Sequence, residues 1–188
     1  MLLNLLTPRG PRLPLACCMA TALGLLAAPA LADDSRDNSH RGGRIEARLK
    51  GFAEVPAVSS AASGRFKARV DSASQTLSYE LSFSGLEGDV RQAHIHVGQH
   101  GVNGGIMVWL CQTAANVSPV TTTPPCPQSG TVSGVLTAAD VVGPAGQGIA
   151  AAEFAEMLKA IGAGVAYANV HSSKFTGGEI RGQLRDDD

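Results

Sequence analysis

The sequence predicts an all-β fold, an antiparallel β-sandwich or barrel of about eight strands with one short connecting helix. Apolar and polar residues alternate along much of the chain, which is typical of strands that bury one face and expose the other. Turn-forming residues, such as Pro56 and the stretch 85–88, separate these strands at short intervals. Short, closely spaced, half-exposed strands favour antiparallel pairing over a parallel α/β sheet, in an immunoglobulin-like or superoxide-dismutase-like Greek key.

The first three strands are amphipathic. In the stretch 44–50 the apolar residues are Ile45, Ala47 and Leu49, and charged residues occupy the alternate positions. The stretches 65–70 and 77–83 repeat this pattern. Further apolar strands are predicted at about 90–97, 105–111, 130–136, 164–171 and 178–185.

One segment, 149–161, follows a helical period instead. Phe154, Met157, Leu158 and Ile161 stand at positions i, i+3, i+4 and i+7, which places them on one side of a helix. Gly162 follows as a candidate C-cap. The pattern predicts a connecting helix that packs over one end of the sheets, with its apolar side in the core.

Residues 1–32 have the features of a secretory signal peptide. Arg9 and Arg12 supply the positive end, and the stretch 13–28 is apolar and uncharged. Ala30-Leu31-Ala32 gives the small-x-small pattern that signal peptidase cleaves, so cleavage is predicted after Ala32. The apolar stretch is shorter than the roughly 20 residues that cross a bilayer as a helix, which argues against a retained membrane anchor.

Cleavage would leave 156 residues, enough for one domain with a real core. The leader holds two of the 15 basic residues and none of the 16 acidic ones, so the net charge becomes −3. This balance offers no general attraction for nucleic acid or anionic lipid, and no later segment is apolar enough to span a membrane. The sequence therefore predicts a periplasmic or secreted protein with a flexible polar segment at 33–43, one domain at 44–185 and an acidic tail at 186–188.

Cys111 and Cys126 are the two cysteines that follow the leader. In an oxidising compartment such a pair predicts a disulfide. The alternative, a metal site, is weak because the pair lacks CxxC spacing. The disulfide would close a loop of 14 intervening residues, for which loop-closure entropy gives about 3 kcal/mol of stability.

Three separated stretches resemble one known module. They are KGFAEVPAV at Lys50–Val58, LSYELSFSGLEGDVRQAHIHVGQHGVNGGIMVWL at Leu77–Leu110, and AYANVHSSKFTGGEIRGQL at Ala166–Leu184. Their order and residue patterns are similar to those of the CHRD, or chordin-type, domain, and the resemblance covers about residues 44–185. It implies a domain of secreted, cell-surface or small exported bacterial proteins, a group not known as enzymes.

The histidines are the one group of residues whose pattern suggests a chemical function. His94 and His96 alternate with core residues on a predicted strand, so both imidazoles project from the opposite, solvent-facing side of that strand. His171 lies near the end of a second predicted strand. His100 lies on a glycine-rich loop, where His-Val-Gly-Gln-His replaces the family's usual His-Gly-Pro-Ala. If the two strands are neighbours, three or four neutral imidazoles meet in a set that suits Cu(II) or Zn(II).

Other charged residues point to structural roles. Glu179 and Arg181 share the strand face opposite Ile180, which predicts an ion pair with a neighbour such as Glu54 or a bond to a backbone carbonyl. No Ser-His-Asp set or close pair of carboxylates is suggested by the spacing, so an enzyme is not predicted.

Two interpretations of the function stay open at this stage. The first is a non-catalytic binding or structural module for an unidentified protein or surface, with no cofactor and with half-exposed histidines that hydrogen-bond to the backbone or to neighbouring Asn and Glu. The second is a periplasmic or extracellular copper- or zinc-binding protein that uses His94, His96 and His171, with His100 in support.

Overall fold

The structure, a computed structural model, describes residues 43–186. The predicted leader with its cleavage site and most of the polar segment lie outside these residues, as do Asp187 and Asp188. No helix in the described part is long and apolar enough to cross a membrane.

Nine strands form one antiparallel sheet that curves into a nearly closed barrel. The elements in chain order are β1 Arg44–Lys50, β2 Ser63–Asp71, β3 Thr76–Ser84, β4 Val90–Val97, β5 Ile106–Cys111, β6 Gly130–Leu136, α1 Phe154–Gly162, β7 Ala166–Ser172, β8 Ile180–Gln183 and β9 Arg185–Asp186. The strands lie in the order β5-β4-β7-β8-β1-β2-β3-β6, and β9 pairs with β1. The structure confirms the predicted all-β antiparallel fold with one short helix.

The alternation of apolar and polar residues places every second side chain of the first three strands in the barrel interior. Alternate side chains of β1, β2 and β3 point inward, and Phe66, Leu77 and Leu81 are completely buried. The rings of Phe66 and Tyr79 stack with their centroids 6.3 Å apart. Each large apolar side chain buried in this way contributes about 1.5–3 kcal/mol, so these strands supply much of the stability of the core.

Side-chain bonds link the edge strand β5 to β3 and to the segment that precedes the other edge strand, β6. Tyr79 of β3 donates its hydroxyl hydrogen to the carbonyl oxygen of Leu110 on β5 at 2.6 Å. Gly134 of β6 makes room for this phenol, because a Cβ there would lie 2.8 Å from the Tyr79 ring. Cys111, at the end of β5, is bonded to Cys126 in the segment that precedes β6. The predicted disulfide is confirmed, and it lies near the place where the two edges approach.

Replacing Cys111 and Cys126 together with serine is expected to lower the free energy of unfolding by about 2–4 kcal/mol. The open loop regains conformational freedom in the unfolded chain, and the link between the barrel edges is lost. Urea unfolding followed by Trp109 fluorescence would measure the change. Wild-type protein kept reduced is the control and should unfold at the same urea concentration as the double variant; an unchanged midpoint in both would contradict the prediction.

The helix α1 overlaps the predicted segment 149–161, but it begins later, at Phe154, and ends one residue later, at Gly162. Its apolar side, which includes Phe154, Met157 and Ile161, is buried as predicted. The start is delayed because Ala150 donates its backbone N–H to the Glu153 carboxylate and Ala152 has a φ of 67°, which no α-helix accommodates. The expected cap, Gly162, is the last helical residue; the left-handed residue that follows the helix is Gly164, with a φ of 70°.

Candidate metal centre

The strands that carry the histidines are neighbours. β4 pairs with β7 antiparallel, so that Gln92 lies opposite His171 and His94 lies opposite Asn169. This register brings the imidazoles of His94, His96 and His171 together, and one ring nitrogen of each lies within 4.8 Å of the others. The sequence pattern placed His94 and His96 on one side of β4, but the adjacency of β7 comes from the fold alone.

This side of β4 is buried, and the prediction of a solvent-facing strand face was wrong. His94 is fully buried, and His96 and His171 are 7 % and 6 % exposed. Trp109 of β5 covers His94 edge-to-face with the ring centroids 4.3 Å apart. Alternation with apolar residues shows that one side of a strand faces a core, but it leaves open whether neighbouring strands also cover the other side.

Two of the three rings have their N–H groups fixed by backbone carbonyls. His96 Nδ1 lies 2.9 Å from the Gly104 oxygen, and His171 Nδ1 lies 2.9 Å from the Thr176 oxygen. Because a carbonyl oxygen only accepts, each Nδ1 carries the hydrogen and each Nε2 of the neutral ring carries a lone pair. Histidine ligands of metals are commonly oriented by such a contact on the second nitrogen.

The inward-facing nitrogens lack sufficient partners. His94 Nδ1 lies 3.2 Å from His171 Nε2. Within the described chain, His94 Nε2 and His96 Nε2 are buried without any hydrogen-bond partner. A buried polar atom left in this state costs about 1–3 kcal/mol, so the arrangement is unfavourable unless another group satisfies these lone pairs.

Asn169 adds an oxygen to the cluster. Its Oδ1 lies 3.1 Å from His171 Nε2, and both atoms are acceptors when the ring is neutral. A hydrogen bond from the same amide lowers the pKa of Glu54, although burial is the larger effect and raises that pKa to about 7. Two acceptors that face each other repel unless a proton or a cation lies between them.

All three imidazoles are neutral at pH 7. Burial lowers the pKa of His94 to about 2, with a further decrease from the nearby His171 and His96. Burial also lowers the pKa of His96 to about 4, against the opposing hydrogen bond to Gly104. The pKa of His171 is lowered by burial as well. The rings are therefore in the protonation state that metal ligation requires.

Arg181 holds the glycine-rich loop that orients His96. Its guanidinium donates to Asn103 Oδ1 at 3.1 Å and to the Val102 oxygen at 2.8 Å, and it lies 3.3 Å above the ring of Tyr167. The Tyr167 ring in turn stacks on His96 with the centroids 4.8 Å apart. The predicted bond to a backbone carbonyl is confirmed. Glu179, in contrast, accepts from the Ser60 hydroxyl at 2.7 Å and from a backbone N–H.

His100 does not join the cluster. It is exposed at the turn of the glycine-rich loop and lines a separate depression with Glu46, Arg48 and Arg185. The extra imidazole that distinguishes this loop in the sequence therefore lies away from His94, His96 and His171.

The remaining three rings fit a transition metal. Imidazole nitrogens bind Zn(II) at about 2.0–2.1 Å, so two nitrogens on a tetrahedral ion are about 3.3 Å apart. The separation of 3.2 Å between His94 Nδ1 and His171 Nε2 matches this distance. A ring nitrogen of His96 lies within 4.8 Å of the other two, and Asn169 Oδ1 is the nearby oxygen donor. Neutral imidazoles also suit Cu(II), which has the higher affinity in the general order of divalent metals.

Fold and site together define a small all-β binding domain with a buried histidine cluster. The chain belongs to the CHRD-domain family, whose model matches residues 45–184. The domains of this family are non-enzymatic binding modules. No curated protein and no solved structure matches the chain.

Proposed function

We propose that the protein is an exported CHRD-domain module that binds one Cu(II) or Zn(II) ion through His94, His96 and His171. The observation that carries this proposal is the orientation of the rings: backbone carbonyls accept the N–H groups of His96 and His171, and their lone pairs face inward. An ion held by His94 Nδ1 and His171 Nε2 would also satisfy the buried His96 Nε2, which lacks a partner among the described residues. His100, which was included in the predicted set, is left out of the proposed ligands.

Export is supported by the leader and by the disulfide. The signal-peptide features of residues 1–32 place the mature N-terminus at Asp33, which N-terminal sequencing of exported protein would read. The disulfide between Cys111 and Cys126 is the kind of bond that persists in an oxidising compartment. Family membership supports a non-catalytic role, in which the ion is held rather than used in a reaction.

Calorimetric titration of Cu(II) and Zn(II) into tag-free protein tests the proposal. We expect one ion per chain, bound more tightly than about 10 μM, with copper the tighter of the two. X-ray absorption at the metal edge would show imidazole nitrogens at about 2.0 Å. Binding weaker than this for both metals would show that the histidines are structural and would contradict the proposed function.

A partner for the module is a second, separate proposal. The family consists of binding domains, and the sequence predicts an unidentified protein or surface partner and no nucleic acid. Phe52, two residues after the end of β1, is 72 % exposed, the largest exposed fraction of any large apolar side chain in the described part of the protein. Phe52→Ser compared with wild type in cross-linking on intact cells would test whether this residue contacts a partner; equal cross-linking would rule it out.

A further inference from the structure

The outer face of β1 and β2 concentrates positive charge. Residues 43–186 contain 11 basic and 11 acidic residues, so the described domain as a whole has no net charge. More than half of its basic residues nevertheless lie on this one face, and all of these are exposed. We call this set the cationic face: Arg44, Arg48, Lys50, Arg65, Lys67 and Arg69.

Like charges stand directly opposite each other on the cationic face. Arg44 pairs across the strands with Arg69, and Arg48 pairs with Arg65. Like charges in such positions destabilise a sheet. In the described range the face contains one ion pair, between Arg65 and Glu46 at 2.5 Å, and Lys67 lies across the strands from Glu46 and Glu80. The arrangement is unfavourable in the free protein and becomes favourable when external anions bind.

The face also has the spacing and shape for an extended charged chain. Alternate side chains along a strand are about 6.6 Å apart, and adjacent strands are about 4.8 Å apart, which gives a regular array of cations. A depression of about 460 Å³ is lined by Arg44, Lys67 and Arg69 together with the carboxylates of Glu46 and Glu80. A second, of about 430 Å³, is lined by Arg48 and Arg185 together with Glu46 and Asp186.

We propose that the cationic face binds an anionic polysaccharide, whose carboxylate, phosphate or sulfate groups pair with these arginines and lysines. The large exposed apolar residues are Phe52, Val102, Val117 and Val135; Phe52 stands two residues beyond Lys50 and none belongs to β1 or β2, so the strands of the face themselves present no apolar side chain to a lipid bilayer. It has no aromatic side chain on which the bases of a single-stranded nucleic acid could stack. Such polymers occur outside the cytoplasm, to which the protein is exported according to the function proposed above. The site is independent of the metal cluster.

The test compares two variants that lose the same charge. The face variant carries Arg48→Gln, Lys67→Gln and Arg69→Gln. The control variant carries Arg91→Gln, Lys159→Gln and Lys174→Gln, which lie off the cationic face. The probe is heparin, a sulfated polysaccharide, titrated at several NaCl concentrations. At 0.1 M NaCl we expect the face variant to bind on the order of 100-fold more weakly, with a shallower salt dependence, and the control variant to bind within about threefold of wild type.

Equal weakening of both variants, or unchanged binding by the face variant, would overturn the proposal. Vesicles of phosphatidylglycerol and a DNA duplex are tested in parallel, and preference for either over heparin would also overturn it. Thermal unfolding checks that both variants fold. The face variant should be about as stable as wild type, since the like-charge pairs that it removes offset the loss of Lys67 between Glu46 and Glu80. If it unfolds, the double variant Lys67→Gln, Arg69→Gln decides, with an expected weakening of about 20-fold.

Discussion

Replacing His171 with alanine is expected to weaken Cu(II) binding by more than about 100-fold. Changes in groups that merely orient a ligand cost 10- to 100-fold in metal affinity, and the loss of a ligand costs more. His171 is central in the cluster because its Nε2 lies 3.2 Å from His94 Nδ1 and 3.1 Å from Asn169 Oδ1. Calorimetric titration of metal-free protein measures the change. His100→Ala is the matched control: it removes the same ring from an exposed position outside the cluster, and its affinity should stay within about twofold of wild type.

The same variant separates a ligand from a structural histidine through its thermal stability. Saturating metal stabilises only the state that binds it, by about 2.7 kcal/mol at 100 times the dissociation constant, which is roughly 5–10 °C in melting temperature for a domain of this size. Wild type and His100→Ala should show this increase, and His171→Ala should not. If His171→Ala binds and is stabilised as strongly as wild type, His171 is not a ligand.

The fold was largely predictable because its strands are amphipathic. The inward and outward residues of β1, β2 and β3 follow the sequence alternation one by one, for example at Ile45, Ala47 and Leu49. The helix boundaries were less predictable, since they depend on the turn built by Ala150 and Glu153 rather than on the apolar pattern. The disulfide followed from a count of cysteines in a chain predicted to be exported.

The site was predictable in its residue types but not in its environment. The spacing of His94 and His96 fixed their common side, whereas their burial depends on β5 and β7, which lie far away in the sequence. The carbonyl oxygens of Gly104 and Thr176, which fix the ring hydrogens, leave no signal in the sequence because any residue has a carbonyl group. Glycine enrichment around residue 104 marked the loop but gave no information on which oxygen would face His96.

The metal-free domain is expected to lose about 3 kcal/mol of stability between pH 6.5 and pH 5. The pKa of His94 is lowered to about 2, that of His96 is lowered to about 4, and that of His171 is also lowered, mainly by burial. In the unfolded chain these histidines have a pKa of about 6.5. Below pH 6.5 the unfolded chain therefore binds up to three protons that the folded chain does not, and stability falls as the pH falls.

Glu54 acts in the opposite direction. Burial raises its pKa to about 7, so between pH 6.5 and 5 the folded chain holds a proton on Glu54 that the unfolded chain lacks. This contribution subtracts one proton from the three, and the net difference of about two protons corresponds to about 2.7 kcal/mol per pH unit. Above about pH 8 the four groups have the same protonation in both states, and this part of the pH dependence vanishes.

Urea unfolding in EDTA at pH 7.5, 6.5, 5.8 and 5.0 measures this slope. His94→Gln is the diagnostic variant, because it keeps a polar side chain of similar size but removes one titrating ring. Its stability should fall by about 1.4 kcal/mol per pH unit less than that of wild type over the same range. A flat profile for the wild-type protein would show that the buried rings accept protons without unfolding. An equal slope in both proteins would assign the acid sensitivity to groups other than His94. The predicted slope results from the burial of three neighbouring imidazoles. The metal-free domain is therefore stable in the pH range in which these rings are neutral.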